Sequence, residues 1–423
     1  MTSIVTNNAS QVALRTLQAA ATDLDRVQAT LGTGKRIATA QDNPALWAVS
    51  KTMESEVKGY VAVQSSLDMG RATLSVARSG AEAVVGTLGD MKKTIIAARN
   101  AAADSGKLQA RFAAQVEQIR TIVGAAQFNG INLLQDTGTA GETGDFRVTA
   151  YAGGLTSGAI KIAVARQDLR LDAGAITAGA TALSAAANSF SGALETGQAI
   201  SAGSAYAVDF DGAVPAGAGY SLAITGGTGV YAALNTTSES QLAFVAGNDS
   251  TGGDIRTVLA SAFNAHVKAQ GFSTDDLVAF AGTGSAGQMI VEAKTSAASG
   301  SFTVQVLQYA RTDSSGGGLG FMDGLDLTDG VDRDRALDRI DLAVEVAARA
   351  AAHFGSAERR VEIQSAFSDK MAKTLQSRVG ALVDADMTEL SARQQALQVQ
   401  QSLAVQALSI ANSTPQTILS LLR

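Results

Sequence analysis

Few residues in this 423-residue chain could carry out catalysis or hold a metal ion. It has no cysteine and only two histidines, His266 and His353. The lack of thiols excludes disulfides, thiolate catalysis and metal sites built on cysteine. Both histidines fall at helical positions without a histidine or carboxylate at ligand spacing, which favours a structural role. The sequence therefore predicts no metal site and no cofactor.

Two short patterns imitate ligand sites. The run Gly282–Gly287 has the glycine spacing of a dinucleotide fingerprint, but it leads into the strand-like Met289–Ala293 instead of a helix, so a loop is predicted. A group of aspartates has the charge for calcium but lacks the spacing of an EF-hand, and it is typical of an acidic helix start. Its members are Asp332, Asp334, Asp338 and Asp341. Neither pattern supports an enzyme.

The net charge and the hydropathy of the chain limit the classes of partner that it is expected to bind. Lys and Arg number 33 and Asp and Glu number 39, for a net charge of −6, so the basic footprint of a nucleic-acid binder is missing. No apolar run approaches the roughly 20 residues that span a bilayer. The first ten residues lack the pattern of a secretory signal, and these signals alone predict a cytoplasmic protein without membrane or nucleic-acid partners.

The N-terminal third has the periodicity of long helices. Leucines recur every seven residues through a helix predicted over 10–31, and a second repeat indicates a helix over 44–103. Pro44 fits an early helical position. A third helix is predicted over 107–126, ending before the turn signal Phe128-Asn129-Gly130.

The C-terminal hundred residues mirror this pattern. One helix is predicted over 332–382 and a second over 390–412, ended by Pro415. Each end of the chain thus combines a terminal helix with a longer inner helix, which suggests that the two ends pair with one another.

The middle of the chain has a different composition. It holds 26 of the 43 glycines between residues 151 and 320, and apolar residues alternate in several short runs, the first over 146–151. The other runs are 206–210, 220–224, 289–293 and 302–306, and one amphipathic helix contains Ile255 and Leu259. These features predict a small α+β insertion between two helical arms.

Several motifs at both ends carry a resemblance to a known family. They are, in chain order, Thr6-Asn7-Asn8, Gly34-Lys35-Arg36-Ile37, Phe128–Leu134, Phe354-Gly355-Ser356, Asp384-Ala385-Asp386 and the ending Ile418–Arg423. Over about residues 1–145 and 325–423 the chain resembles bacterial flagellin, the subunit of the flagellar filament. The resemblance implies a structural subunit that self-assembles into a helical filament for swimming.

The fold class expected from periodicity and resemblance together is α+β, with long antiparallel coiled-coil arms and a central glycine-rich insertion. The resemblance implies three domains. Residues 1–43 and 384–423 would form the inner filament core, 44–145 and 321–383 a second helical domain, and 146–320 the outer variable module.

The same resemblance assigns roles to individual residues. Filament-core packing is expected of Leu17, Leu24, Val27, Leu31, Leu390, Leu397, Ala404, Leu408 and Ala411. The link between the inner and second domains is expected at Gly34, Arg36, Asp42, Pro44, Asp384 and Asp386. Packing within the second domain is expected of Tyr60, Leu67, Leu74, Leu88, Phe128, Leu375 and Val379.

Partners and location follow from the family as well. The resemblance implies contacts with other copies of the chain, the flagellar type III export apparatus, a cytoplasmic export chaperone, hook-associated and cap proteins, and other flagellins. It implies an extracellular filament reached without a cleavable signal peptide, against the cytoplasmic prediction from composition.

Two alternatives stay open at this level. A hook–filament junction protein shares both arms, and an enzyme could be housed in the insertion, although the chain has no His-Glu-x-x-His motif. Since each terminal helix offers only a narrow apolar stripe, we also expect both termini to be disordered in the monomer and to fold on assembly.

Overall fold

The structure is a computed structural model that describes residues 7–100, 104–136, 145–150, 160–184, 189–247, 249–295, 297 and 299–421. Four predicted features therefore lie partly outside the described residues: Thr6 of the first motif, the end of the 44–103 helix, Tyr151 of the first alternating run, and Leu422-Arg423. For 160, 331 and 414–421 only the backbone is described.

In the described part of the chain, six α-helices account for both ends and one element of the middle. They are α1 (Asn8–Thr33), α2 (Pro44–Asn100), α3 (Ser105–Ala125), α4 (Gly252–Ala269), α5 (Gly330–Val383) and α6 (Met387–Leu421). The helices at the two ends begin where the periodicity predicts, within about three residues.

The C-terminal end of α6 differs from the prediction. Pro415 was expected to end this helix, but α6 continues to Leu421. Within a helix proline loses the hydrogen bond to the carbonyl four residues earlier, here that of Ala411, and its ring crowds the same carbonyl. The side-chain amide Nδ2 of Asn7 donates to that carbonyl at 2.8 Å. A side chain distant in sequence thus supplies a donor that proline cannot.

Short strands make up most of the middle. They are β1 (Gln127–Phe128), β2 (Ile131–Asn132), β3 (Phe146–Ala150), β4 (Ile160–Val164), β5 (Ala175–Ile176), β6 (Ser191–Gly192), β7 (Gln198–Ser201), β8 (Ser204–Asp209), β9 (Gly219–Thr225), β10 (Ala243–Val245), β11 (Leu277–Ala281), β12 (Gln288–Ala293), β13 (Ser301–Tyr309) and β14 (Ser314–Ser315). Two antiparallel four-stranded sheets have the orders β10-β9-β13-β7 and β11-β12-β8-β6. Helix α4 contacts strands of both sheets and buries Ile255, Leu259 and Phe263 against them. The predicted class, helical ends with a strand-rich insertion, is confirmed.

The first alternating run packs on a helix of the N-terminal arm. A Cβ on Gly70 of α2 would lie 2.6 Å from a methyl carbon of Val148 in β3, so strand and helix approach as closely as glycine allows. Strands β3 and β4 form their own two-stranded sheet. This pair therefore packs with α2 although the sequence assigns residues 146–150 to the outer module.

The chain divides into two compact units. Unit 1 takes its helical residues from 1–65 and 365–423, and unit 2 comprises 66–150 and 161–364. The core of unit 2 includes Leu67, Leu74 and Leu88 of α2, all fully buried. The domain limits inferred from the resemblance, at 43/44 and 383/384, fall within unit 1 and stay a prediction about the assembled filament.

Candidate assembly site

Helices α1 and α6 of unit 1 pack against each other in opposite directions. The start of α1 meets the end of α6 through Asn7 and Ala411, and the chain after α1 meets the chain before α6 through a bridge between Lys35 and Asp384. Between these ends lies a cluster of Leu24, Val27 and Leu397, with Leu390 packed against it. The seven-residue repeats of the two arms therefore face one another.

The residues predicted to pack the filament core differ in how far they are buried within the single chain. Leu24, Val27, Leu397 and Ala404 are buried. The remaining five are half-buried: Leu17, Leu31, Leu390, Leu408 and Ala411. Ala20, which belongs to the same stripe of α1, is buried too.

Other apolar side chains of the same two helices are exposed to solvent. The largest exposures are those of Val12 at 65% and Ile410 at 67%. Leu14, Val399, Leu403 and Val405 are exposed as well. Beside Val12 and Ile410 a groove of about 700 Å³ runs between the helices, lined mainly by alanines. An exposed groove with this apolar lining is a candidate site of association.

The segments that join these helices to α2 and α5 are held by backbone hydrogen bonds. Gly34 ends α1 in the left-handed conformation, with φ of 67°, which glycine adopts without steric cost. The N–H of Arg36 donates to Val383 O at 2.7 Å and its guanidinium donates to Leu382 O at 2.8 Å. In the opposite direction, the N–H of Ala385 donates to Gly34 O at 3.1 Å. The two connections thus form one small cross-linked layer.

Two aspartates of this layer cap the turns. Asp42 Oδ2 accepts from the N–H groups of Ala38 and Thr39, and Asp386 Oδ1 accepts from those of Thr388 and Glu389. Because these bonds stabilise the ionised carboxylates, chiefly those from Thr39 and Glu389, the pKa of each lies below 3.8. Pro44 follows at the first position of α2. The six predicted link residues therefore lie in these two connections.

We expect the capping of Asp42 to be lost only in acid. A carboxyl group whose pKa is lowered in the folded state contributes stability above its unfolded pKa, near 3.8, and loses it as the pH falls through the folded value. A carboxyl-carbon NMR titration of the protein should place the midpoint of Asp42 below 3.8. In Thr39→Ala, which removes the hydroxyl donor, the midpoint should move upward, and a midpoint for native Asp42 at or above 3.8 would contradict the capping.

The residues predicted to pack the second domain are divided between the two units. Tyr60 and Leu375 are buried and Val379 is half-buried in unit 1, while Leu67, Leu74 and Leu88 are buried in unit 2. Phe128 differs, since 37% of it is exposed. It stands in β1 just before a tight turn in which Asn129 and Gly130 both have positive φ, and that turn faces solvent. The packing predicted for Phe128 is not found within this single chain.

The residues that the sequence offered as candidates for catalysis or ligand binding have structural surroundings. His266 Nε2 lies 2.9 Å from Leu234 O, and the run Gly282–Gly287 is the loop between β11 and β12. His353 Nδ1 lies 3.9 Å from the Asp249 carboxylate. Asp332, Asp334 and Asp341 form ion pairs with Arg335, Lys268 and Lys92 respectively. Within the described ranges no group of three or more potential metal ligands occurs, and no helix is long and apolar enough to cross a bilayer.

Sequence reasoning missed two residues of the assembly site. Ile37 is buried within the connection after α1, and Asn7 bonds both its own helix and α6. An asparagine just before a periodic segment signals a helix cap, so the sequence could have predicted that Asn7 caps α1. Its bond across 404 residues has no local signal.

Comparisons with known proteins found matches at both helical ends of the chain. A family model described as the bacterial flagellin N-terminal helical region matches residues 4–139, and one for the bacterial flagellin C-terminal helical region matches 337–422. Flagellin A of Rhizobium meliloti is 30% identical over 100% of both chains, and so is Flagellin B of the same organism. The solved structure of FliC from Burkholderia pseudomallei aligns with 69% of this chain and 99% of its own, at 17% identity and a TM-score of 0.31. None of these matches favours the hook–filament junction protein.

Proposed function

This chain belongs to the bacterial flagellin family and is a structural subunit of the flagellar filament, and on that premise we propose that α1 and α6 form the filament core. The proposal assigns the intrachain seam to Leu24, Val27 and Leu397, with Leu17, Leu31, Leu390, Ala404, Leu408 and Ala411 around them. In this proposal the exposed apolar residues of the same two helices make the contacts between subunits.

One observation carries this proposal. A pair of helices free in water would keep its apolar residues in the seam, but α1 and α6 expose Val12, Val399, Leu403 and Ile410 instead. Burying side chains of this size contributes about 1.5–3 kcal/mol each. Contact of this face with a different face of the next subunit is heterologous, and a heterologous contact that does not close builds a filament.

The three-domain organisation is part of the proposal. Residues 1–43 and 384–423 would line the core, and residues 44–145 and 321–383 would surround it. The layer around Gly34, Arg36, Asp42, Pro44, Asp384 and Asp386 would then set the geometry between core and shell. The backbone bonds between the two connections support this role, because they join the residues after α1 to the residues before α6.

The remaining partners rest on family membership. We propose export through the flagellar type III apparatus, escort of α6 by a cytoplasmic chaperone, and end contacts with hook-associated and cap proteins, giving an extracellular filament. We propose no catalytic activity for the chain. The family's structural role supports this, together with the absence of a His-Glu-x-x-His motif from the sequence.

Seeded growth tests the proposed function. Purified monomer is added to short fragments of filaments made of the same chain, and fibre length is followed by electron microscopy. Monomer should extend the seeds at one end by many subunits. Monomer that binds the seeds without extending them would contradict self-propagation and point to a junction protein.

A further inference from the structure

The side chain of Asn7 makes two hydrogen bonds that belong to different helices. Its Oδ1 accepts from the N–H of Ser10 at 3.0 Å, which caps α1. Its Nδ2 donates to Ala411 O of α6 at 2.8 Å. Next to it, Ser10 Oγ donates to Asn412 Oδ1 at 2.9 Å. The beginning of α1 is thus attached to one turn of α6 by polar bonds.

The acceptor on α6 is available because of the sequence that follows it. In an α-helix the carbonyl of Ala411 would accept from the N–H of residue 415, but residue 415 is proline and has none. Since α6 continues to Leu421, this carbonyl lies inside a helix without its usual donor. The carbonyl of Ala411 therefore differs from its neighbours in α6, because Pro415 cannot donate a hydrogen bond to it.

The two ends of the helix pair are held differently. At the end of α1 the bridge between Lys35 and Asp384 and the bond from the N–H of Ala385 to Gly34 O join the two connections and set the register of the helices. The apolar cluster of Leu24, Val27 and Leu397 lies nearer to that end in sequence. At the beginning of α1 the polar bonds to α6 are those of Asn7 and Ser10.

We propose that Asn7 is the positioning residue that holds the beginning of α1 against α6, acting through the carbonyl that Pro415 leaves without a helical donor. This inference rests on the proposed function, because the position of this end matters where the pair is stacked among other subunits. Asparagine suits the position since its amide accepts and donates at once. Serine can cap a helix equally well but has no amide nitrogen to reach α6.

The decisive variant is Asn7→Ser, which keeps the cap and removes the donor. The distance between the two helices is read from spin labels on two introduced cysteines, Gln18→Cys and Gln400→Cys, which label uniquely because the chain has no cysteine. Both positions are exposed. In filaments diluted with unlabelled subunits, the native chain should give one distance. Asn7→Ser should give a broader distance distribution, because the beginning of α1 is no longer attached to α6, and a critical concentration raised about fivefold.

Two further variants complete the test. Pro415→Ala restores the helical donor to Ala411 O, so adding Asn7→Ser in that background should change the critical concentration less than twofold. Asn43→Ser is the matched control, because Asn43 caps α2 through its Oδ1 at 3.1 Å from Leu46 N, and it should leave both readings unchanged.

Each outcome decides the inference separately from the proposed function. A native critical concentration and a native distance distribution in Asn7→Ser would overturn the role of Asn7. That role would also be overturned if Asn7→Ser prevented assembly equally with Pro415 and with Ala at 415. If the native chain itself fails to extend seeds, the proposed function fails instead.

Discussion

Leu397→Asp will stop filament growth at concentrations where the native chain polymerises. Leu397 is buried in the seam between α1 and α6, in contact with the cluster of Leu24 and Val27. Removing a leucine from such a site costs about 2–5 kcal/mol, and an unpaired carboxylate in its place adds the cost of its desolvation. A total of at least about 4 kcal/mol corresponds to roughly a thousandfold rise in the critical concentration. Sedimentation of polymer from monomer over a range of concentrations measures it.

Leu397→Met provides the matched control for this prediction. Methionine has nearly the volume of leucine and remains apolar, so the seam can repack at a cost below about 1.5 kcal/mol. Filaments should form with a critical concentration within about tenfold of the native value. If Leu397→Asp polymerised as readily as Leu397→Met, the seam would not be part of the filament core.

Ile410→Asp will also block polymerisation, but for a different reason. Two thirds of Ile410 is exposed in the single chain, so aspartate there changes few intrachain contacts. In the filament the same position is proposed to lie against another subunit. There the variant loses about 2 kcal/mol of apolar burial and has to desolvate a charge. We expect the critical concentration to rise about a hundredfold while the melting temperature of the monomer stays within about 1 °C.

Val230→Asp tests whether that effect is specific to the helix pair. Val230 is apolar and 54% exposed, but it lies in the insertion, between β9 and β10. The same chemical change at similar exposure should therefore leave the critical concentration nearly native. Equal loss of assembly in both variants would assign the effect of Ile410→Asp to added charge alone.

The helices were readable from the sequence because the signals are long and repeated. Leu67, Leu74 and Leu88 of α2 recur at multiples of seven, and all three are fully buried. Over such a length a period near 3.6 cannot be mistaken for a strand. Strands with bulky alternating residues, such as β9 and β13, were readable for the corresponding reason.

The missed strands have little side-chain signal. Strand β7 reads Gln-Ala-Ile-Ser, and β10 has only three residues. Strand β11 alternates buried Leu277 and Ala279 with Val278 and the exposed Phe280. Their pairing depends on neighbours that are distant in sequence, for example β11 with β12 and β12 with β8. Propensity and alternation carry no information on such partners.

The assembly site was predictable in its apolar part only. The seven-residue spacing identified the seam residues, because burial along a helix follows its period. It did not identify Asn7, because the bond of this residue to α6 joins positions 404 apart in sequence, and it did not identify the continuation of α6 through Pro415. Nor does periodicity show that Ile410 is exposed in the chain.

The most direct test of ordering by assembly is hydrogen–deuterium exchange of α1 and α6 in the monomer and in the filament. The residues of α2 around Leu74 and Leu88 serve as the internal reference, since they are fully buried within unit 2. We predict that amides of α1 and α6 exchange almost as fast as in an unfolded peptide in the monomer and at least about a hundredfold more slowly in the filament, while the reference is protected in both. Equal protection of α1 and α6 in the two states would contradict the claim that these helices become ordered by stacking among subunits.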